Sequence, residues 1–327
     1  MTRGTVTMNT TFERLRKSTK GERLSGTDLF VDIDIEKSKL RYYSKLPAMY
    51  DIDGKLLIKG SRLEVKVQNA LLPSSGDAPI RIKGGNAVIP ENHIRYSDMI
   101  VTAMMEGSTP NILKYVDQDP LRLMRGFAFK PDTILGNFNG SVRLQFPRLG
   151  QLPLNRISAK VDAQISDFIL TKPVAGYHLD ADQLQLKATN DQIYVTGDAR
   201  INTVPSRVEW SEKIKKKDIN NNDLSTIINI SSEVSEQHLA ALNMDSLSSR
   251  MRGLVQADVT LSGKLNNFTR LEVSADLSKA KVSFSPLNHV KPMDTPGTIK
   301  LRTDFAKQGQ VKDTIIDFNL PDFSTQV

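Results

Sequence analysis

The stretch KLLIKGSRLEVKV (Lys55–Val67) contains two runs in which an apolar residue recurs at every second position. A period of two is typical of a β-strand with one buried and one solvated face, because successive side chains point to opposite sides of a sheet. The residues KGS that join the two runs are typical of a tight turn. The stretch therefore predicts two neighbouring antiparallel strands. The apolar positions are Leu56, Ile58, Leu63, Val65 and Val67.

The same alternation recurs along most of the chain. It is strongest in DLFVDIDIE (28–36), and it returns in GSVRLQF (140–146), in the long run NRISAKVDAQISDFIL (155–170) and in several segments beyond residue 180. We count about 15 to 20 predicted strands joined by short turns, without the strand–helix–strand rhythm of a doubly wound fold. Short turns between consecutive strands predict an antiparallel meander.

Glycine and asparagine positions suggest where the strands turn. We expect a hairpin around Gly84 and Gly85, and turns at Asn190-Asp191 and Gly197-Asp198. The segment SDMIVTAMMEG (97–107) is compatible with a strand or with a helix. The basic, asparagine-rich segment 213–223 is expected to be a solvated loop.

Two segments have helical spacing, and the first residues have no strand pattern. Near 108–125, Ser108 or Thr109 can cap a helix whose first turn contains Pro110. Near 233–247, leucines at positions 239, 242 and 247 would face the sheet. Residues 1–26 are polar and are expected to be poorly ordered. The predicted organisation is thus a polar, poorly ordered start (1–26) and one continuous β-groove domain (27–325) with two helical inserts.

Composition and charge restrict the possible functions. The net charge of +7 favours acidic surfaces such as nucleic acid or anionic lipid headgroups. However, the one dense basic run, KIKKKD (213–218), is accompanied only by Trp210, and one aromatic residue is no stacking platform for bases. We therefore expect no nucleic-acid partner. The absence of cysteine excludes disulfides, thiol nucleophiles and cysteine-based metal sites.

Motifs for catalysis or metal binding are not evident. The chain contains no nucleophile elbow, P-loop, dinucleotide fingerprint or zincin motif. The four histidines lie far apart in the sequence, and the pair in YHLDAD (177–182) is too small a set for zinc. Asp32, Asp34 and Glu36 share one strand face, where a solvated surface is a simpler interpretation than a cation site. We expect a non-enzymatic protein without cofactor or metal, with a hydrolase of unrecognised site as an alternative.

Membrane and export signals are also not evident. No run approaches the roughly 18–20 apolar residues that span a bilayer, and the first 26 residues have no apolar core of signal-peptide type. We expect this chain to be a fragment or a split gene product of a longer protein.

Several motifs in order resemble one known family. The pattern L-x-Y-x-x-x-L-P followed by G-x-L-x-I-x-G (40–60) resembles the central region of the AsmA-like superfamily, YhdP branch. The blocks GSTPNILKYVDQDPLRLMRGF (107–127) and VTGDARINTVPSRVEW (195–210) are similar to the same branch, as is the segment 261–305 with its Lys-Pro and Pro-Gly elements at Lys291 and Gly297. The resemblance covers about residues 28–322.

This resemblance implies a fold and a function. The fold would be a long, strongly twisted antiparallel sheet that forms a hydrophobic groove. The protein would be periplasmic, anchored in the inner membrane through flanking regions outside this chain, and would shield phospholipid acyl chains on their way between the inner and outer membranes. A β-sandwich whose two apolar faces cover each other predicts the same alternation. A second interpretation of the function is an envelope scaffold that binds unknown proteins through exposed sheet edges.

The residues expected to line the groove are the apolar positions of the predicted strands. They are Leu29, Val31, Ile33, Ile35, Leu56, Ile58, Val65, Val142, Leu144, Val161, Ile165, Leu184, Leu186, Val195, Val259, Val273, Ile299 and Leu301.

Overall fold

The structure is a computed structural model of the chain. It describes residues 3–42, 45–74, 78–125, 127, 129–149, 154–174, 177–218, 221–265, 267–284, 289–306, 310–320 and 323–326. Within these residues the chain forms twenty β-strands, four α-helices and two short 3-10 helices. The predicted mainly β class is therefore confirmed.

The strands follow one another closely in the sequence. Their bounds are β1 Arg3–Met8, β2 Leu29–Leu40, β3 Met49–Lys59, β4 Arg62–Leu72, β5 Ile80–Ile89, β6 Asp98–Ser108, β7 Ile134–Pro147, β8 Ser158–Val174, β9 Tyr177–Thr189, β10 Gln192–Ile201, β11 Val204–Asp218, β12 Asn221–Val234, β13 Met251–Gly253, β14 Val255–Lys264, β15 Asn267–Asp276, β16 Ala280–Phe284, β17 His289–Lys291, β18 Thr298–Phe305, β19 Val311–Leu320 and β20 Phe323–Gln326. The α-helices are α1 Phe12–Ser18, α2 Thr109–Asp117, α3 Glu236–Ala241 and α4 Asp245–Ser248, and the 3-10 helices are Pro131–Thr133 and Leu154–Arg156.

Seventeen strands belong to one sheet, and β13, β16 and β17 form a second sheet of three strands. The described registers are antiparallel, and they join each strand of the large sheet to the next one along the chain from β1 to β7 and from β10 to β12, then β12 to β14. The antiparallel meander expected from the short turns is thus confirmed. Strands β8 and β9 each contribute residues to both of the compact units into which the chain divides.

The first unit contains residues 1–125, 136–165 and 187–190. Its fully buried core lies at one end of β3–β5, where α2 packs on the sheet. Partly buried side chains of the helix, Ile112 and Val116, contact this core. The core residues are Ile52, Ala70, Leu72, Ile80, Ile82 and Tyr115.

The second unit contains residues 126–135, 166–186 and 191–327. Its buried core combines residues of the small sheet with residues at or next to the ends of β14, β15 and β19. Leu239 of α3 packs against this core. Ser235 caps α3 by accepting a hydrogen bond from the backbone N–H of His238. The core residues are Met251, Val255, Leu277, Ala280 and Leu320.

The hairpin expected at Gly84 and Gly85 is wrong, because β5 runs through both residues. The register shifts between Ile82 and Gly84, which forms a bulge, and Gly84 has a φ of +149° that suits glycine. The bulge reverses the alternation of the strand. As a result, the side chains of Ile80 and Ile82 are buried in the core, whereas those of Arg81 and Lys83 are exposed.

Two further loop predictions are wrong. Gly197 lies inside β10, opposite Val208, and the chain turns at Asn202 and Thr203, both with positive φ. Within the segment 213–223, residues 213–218 form the end of β11 and residues 221–223 the start of β12, and these strands pair with each other. Residues 219 and 220 lie outside the described residues. The predicted turn at Asn190-Asp191, by contrast, falls between β9 and β10.

The remaining local predictions have mixed outcomes. Segment 97–107 is a strand, β6, and α2 begins at its expected cap residue Ser108, with proline in its first turn. The prediction that Leu247 faces the sheet is wrong, because its side chain is 52% exposed. Residues 1–26 include β1 and α1, and α2, α3 and α4 lie at the segments expected to hold the helical inserts. The division into a poorly ordered start and one continuous domain stays a prediction.

Candidate functional site

The first unit has an apolar row that crosses six strands, from β2 to β7. Residues that lie directly opposite one another in an antiparallel pair place their side chains on the same face of the sheet. Each member of the row is the register partner of the next. The row consists of Ile33, Leu56, Val65, Ala87, Val101 and Leu144.

Two parallel rows widen this apolar face. One row holds Ile35, Gly54, Val67, Gly85, Ala103 and Val142, and the other holds Val31, Ile58, Leu63 and Ile89. The two glycines in the first of these rows lie where a Cβ would approach a neighbouring carbonyl oxygen to 2.1 Å at Gly54 and 2.9 Å at Gly85. We call these three rows together the unit 1 apolar face.

This face is largely half-buried. All six side chains of the first row have intermediate exposure, whereas the core under α2 is almost completely buried, with Ile80 at 0% and Ala70 at 1%. Ile35, Val67 and Ala103 of the second row contact that core. The unit 1 apolar face therefore passes without interruption from a closed end under α2 to rows that are still in contact with solvent.

The opposite side of the same strands is more polar, although one of its rows includes Leu57, Val88 and Ile100. A row of register partners there consists of Asp34, Lys55, Lys66, Asn86, Thr102 and Arg143. Lys55 Nζ lies 2.9 Å from an Asp32 carboxylate oxygen and 3.3 Å from one of Asp34, and these hydrogen bonds raise the pKa of Lys55. Two of the three carboxylates considered as a cation site are thus bound by a lysine, as expected for a solvated face. The described residues contain no acidic or histidine cluster of metal-site type.

The second unit has an apolar face of the same construction. One row crosses seven strands from β10 to β19, and two rows flank it. The central row holds Gly197, Val208, Ile230, Val259, Val273, Leu301 and Ile316. One flanking row holds Val195, Trp210, Ile228, Leu261 and Leu271. The other flanking row holds Ala199, Ser206, Ser232, Ala257, Ala275 and Ile299. We call these rows the unit 2 apolar face.

A carboxyl group interrupts the unit 2 apolar face. Glu212 is two residues beyond Trp210 in β11, lies opposite Ile193 and Thr226, and is 0% exposed. Its Oε2 accepts hydrogen bonds from Thr226 Oγ1 at 2.7 Å and Trp210 Nε1 at 3.3 Å. Its Oε1 is buried and has no partner among the described residues. Burial raises the pKa of Glu212, and the two hydrogen bonds offset this only in part.

Most of the predicted lining residues lie on these two faces. Val161 and Ile165 lie two residues from Ala163 in β8 and therefore on the same face of that strand. A Cβ added to Gly140 of the neighbouring strand would lie 2.3 Å from the Cβ of Ala163. Leu184 packs next to Gly197, where an added Cβ would lie 2.7 Å from Leu184 Cδ2. Leu29 lies opposite Met8 and Leu186 follows Leu184 by two residues. Three of the eighteen, Val31, Ile165 and Leu184, are buried, and the others are half-buried. That they line a lipid path stays a prediction.

Sequence reasoning missed the contributions of β5 and β6 to the unit 1 apolar face and the carboxyl in the unit 2 apolar face. In β5 the bulge shifts the alternation of apolar and polar residues by one position. In β6, Met104 on the other side of the strand is also apolar, so the difference in polarity between its two sides is weak in the sequence. The odd spacing between Ile82 and Ala87 was the available signal. For Glu212 the signal was one acidic residue at an apolar position of an alternating run.

The fold and its faces define a class: antiparallel β proteins whose large sheet carries continuous rows of apolar side chains on one side and polar side chains on the other. More specifically, the chain belongs to the YhdP protein family, whose model matches residues 1–320. No curated protein and no solved structure matches the chain. Membership of this family, which is associated with the cell envelope and with lipid transport rather than enzymatic activity, indicates a role in lipid transport. No helix in the described residues is long and apolar enough to cross a bilayer.

Proposed function

We propose that the two apolar faces shield the acyl chains of phospholipids while these lipids move through the periplasm between the inner and outer membranes, and that no chemical step is involved. The observation that carries this proposal is the continuous, half-buried apolar row from Ile33 to Leu144 in a chain of the YhdP family. The finer elements, namely phospholipid as cargo and the periplasm as location, are part of the proposal.

The energetics favour an extended apolar surface as a carrier. Exposure of a methylene to water costs about 0.8 kcal/mol, so a sixteen-carbon chain exposed to water costs on the order of 12 kcal/mol. A carrier must replace this contact without binding the lipid so tightly at one place that it stops moving. A row of valine, leucine, isoleucine and alanine offers contact area at every position and no charged group.

The dimensions of the unit 1 apolar face fit an acyl chain. Neighbouring strands lie about 4.8 Å apart, so the five steps from Ile33 to Leu144 cover roughly 24 Å. One leaflet of a bilayer core is about 15 Å thick, which is the depth that one acyl chain fills. The row is therefore long enough to contact the full length of one chain.

The proposal is tested with a pair of adjacent leucines on opposite faces of β3. Leu56 belongs to the apolar row, whereas Leu57 lies opposite Asp32 and Glu64 on the polar side. The chain is expressed in the periplasm of a bacterium with two membranes, purified without detergent exchange, and analysed by mass spectrometry for bound phospholipid. We expect Leu56→Asp to reduce the bound phospholipid several-fold and Leu57→Asp to leave it close to the wild-type amount.

Two results would contradict the proposal. The first is a wild-type protein that carries no phospholipid. The second is an equal loss in both variants although both remain folded by circular dichroism, because the lipid would then not distinguish the two faces of the sheet.

A further inference from the structure

The environment of Glu212 differs from the rest of the unit 2 apolar face in its chemistry. Its neighbours across the strands are Ile193 and Thr226, and Trp210 precedes it on the same face. The rings of Phe127 and Phe129 meet the indole of Trp210 edge-on, with centroids 6.4 Å and 6.1 Å away. The groups that bind the carboxyl, the Thr226 hydroxyl and the Trp210 indole N–H, are uncharged, so a negative charge at this position would have no bound cation among the described residues.

The hydrogen-bond pattern fixes what the carboxyl can offer to a ligand. Both donors, the Thr226 hydroxyl and the Trp210 indole N–H, are directed to Oε2. Burial without a cation favours the neutral form of the Glu212 carboxyl, and in that form the proton lies on the oxygen that accepts nothing, Oε1. In the neutral form Oε1–H is a buried donor that has no acceptor among the described residues, and a buried polar group of this kind calls for an explanation such as a bound molecule.

We propose that Glu212 donates a hydrogen bond from Oε1 to an ester carbonyl oxygen of a glycerolipid whose acyl chains lie on the unit 2 apolar face. The ester group fits this place because it is the polar group directly attached to the acyl chains and it is an acceptor without a donor. The site is thus a polar position on an otherwise apolar face, and it fixes where the glycerol end of the lipid rests. This inference rests on the proposed function. Access to Oε1 requires movement of the side chains that bury it.

The test compares a short-chain diacyl phosphatidylcholine with its dialkyl ether analogue, which has the same headgroup and chain length but no carbonyl. Both are titrated below their critical micelle concentrations into the purified chain. Trp210 is the only tryptophan of the protein and donates to Glu212, so its fluorescence reports binding at the site directly. We expect the wild type to bind the ester lipid roughly three- to tenfold more tightly than the ether lipid, the effect of one hydrogen bond.

Two variants assign the preference to the carboxyl. In Glu212→Gln the side-chain amide has an N–H in place of the Oε1–H, so the preference for the ester is expected to remain. In Glu212→Leu the donor is lost, so both lipids are expected to bind with equal affinity. Thermal unfolding of each variant establishes that it is folded.

Other results would overturn the inference in distinct ways. Equal affinity of the wild type for both lipids would mean that Oε1 is satisfied by water and not by lipid. If the Glu212→Leu variant still binds the ester lipid more tightly than the ether lipid, the ester carbonyl oxygen accepts its hydrogen bond from a group other than Glu212. Binding of neither lipid would contradict the proposed function itself, whereas binding of the ether lipid supports it independently of Glu212.

Discussion

Gly297 lies against the side chain of Lys291, so closely that a Cβ on the glycine would stand 2.7 Å from Lys291 Cε. Lys291 is 0% exposed, and its Nζ donates to the carbonyl oxygens of Ala280 at 2.9 Å and Pro292 at 2.8 Å. Burial lowers the pKa of Lys291. The Lys-Pro and Pro-Gly elements of the sequence motif are therefore two parts of one contact, in which glycine leaves room for a buried lysine.

A side chain at position 297 is expected to destabilise the protein. In Gly297→Ala the new methyl group meets Lys291 at Cε and Cδ, and relief of this overlap costs about 1–3 kcal/mol of the free energy of unfolding. The matched control is Gly26→Ala, where the nearest atom to the added Cβ is 3.8 Å away, an ordinary contact. Urea denaturation followed by circular dichroism measures both. Equal midpoints for the two variants would show that the lysine moves aside without cost.

The bulge at Gly84 is expected to be essential for the core under α2. Deletion of Gly84 would restore strict alternation in β5 and move the preceding residues by one position, so that Arg81 would stand where Ile82 is now buried and Pro79 where Ile80 is now buried. Loss of two buried isoleucines costs about 4 kcal/mol or more.

The control for the deletion is Gly84→Ala, which keeps the bulge. Nothing lies within 4 Å of the added Cβ, so this variant suffers only from the backbone conformation, about 1–3 kcal/mol. The two are compared by denaturant unfolding. A deletion variant as stable as Gly84→Ala would contradict the assignment of the bulge as the device that sets the phase of β5.

The buried carboxyl of Glu212 is expected to make the stability of the protein depend on pH. Its pKa in the folded state is raised above the ordinary value of 4.5, so the folded state holds the proton more tightly than the unfolded state does. The free energy of unfolding therefore falls as the pH rises above about 4.5 towards the pKa of the folded state. The neighbours of the carboxyl from β10 and β12, Ile193 and Thr226, do not titrate in this range.

Glu212→Gln should remove this loss, because the amide cannot ionise and can keep the hydrogen bonds of Thr226 and Trp210. The variant is expected to be more stable than the wild type at neutral pH and equal to it near pH 4. Thermal unfolding across this range measures the difference. A wild type and a variant with parallel stability profiles would show that Glu212 is not held neutral by the fold.

The strand content and the apolar face of most strands could be predicted from the sequence, for a physical reason. A strand with one dry and one wet side must alternate, and in β2 the residues from Val31 to Ile35 do so without exception. Where a tight turn joins two neighbouring strands, the register also follows from the sequence, and Leu56 of β3 accordingly lies opposite Val65 of β4.

Glycine was the main source of error, since its sequence signal is the same in a turn, in a bulge and at a close approach of two strands. Gly84 is a bulge, and Gly197 lies in a strand where a Cβ would stand 2.7 Å from Leu184 Cδ2. The sequence also gives no sign that Lys291 is buried, because its partners are backbone carbonyls. For Glu212 the sequence shows only an acidic residue at an apolar position of an alternating run, and its burial becomes evident only when its neighbours are placed.

Site-specific photocrosslinking along β3 tests the central claim most directly. The photoreactive residue p-benzoylphenylalanine is placed, one position at a time, at Lys55, Leu56, Leu57 and Ile58, and cells that express each variant in the periplasm are irradiated. Because Leu56 and Ile58 belong to the unit 1 apolar face and the other two lie on the polar side, we predict covalent phospholipid adducts at positions 56 and 58 and none at 55 and 57. Adducts at all four positions alike, or at none, would contradict the account.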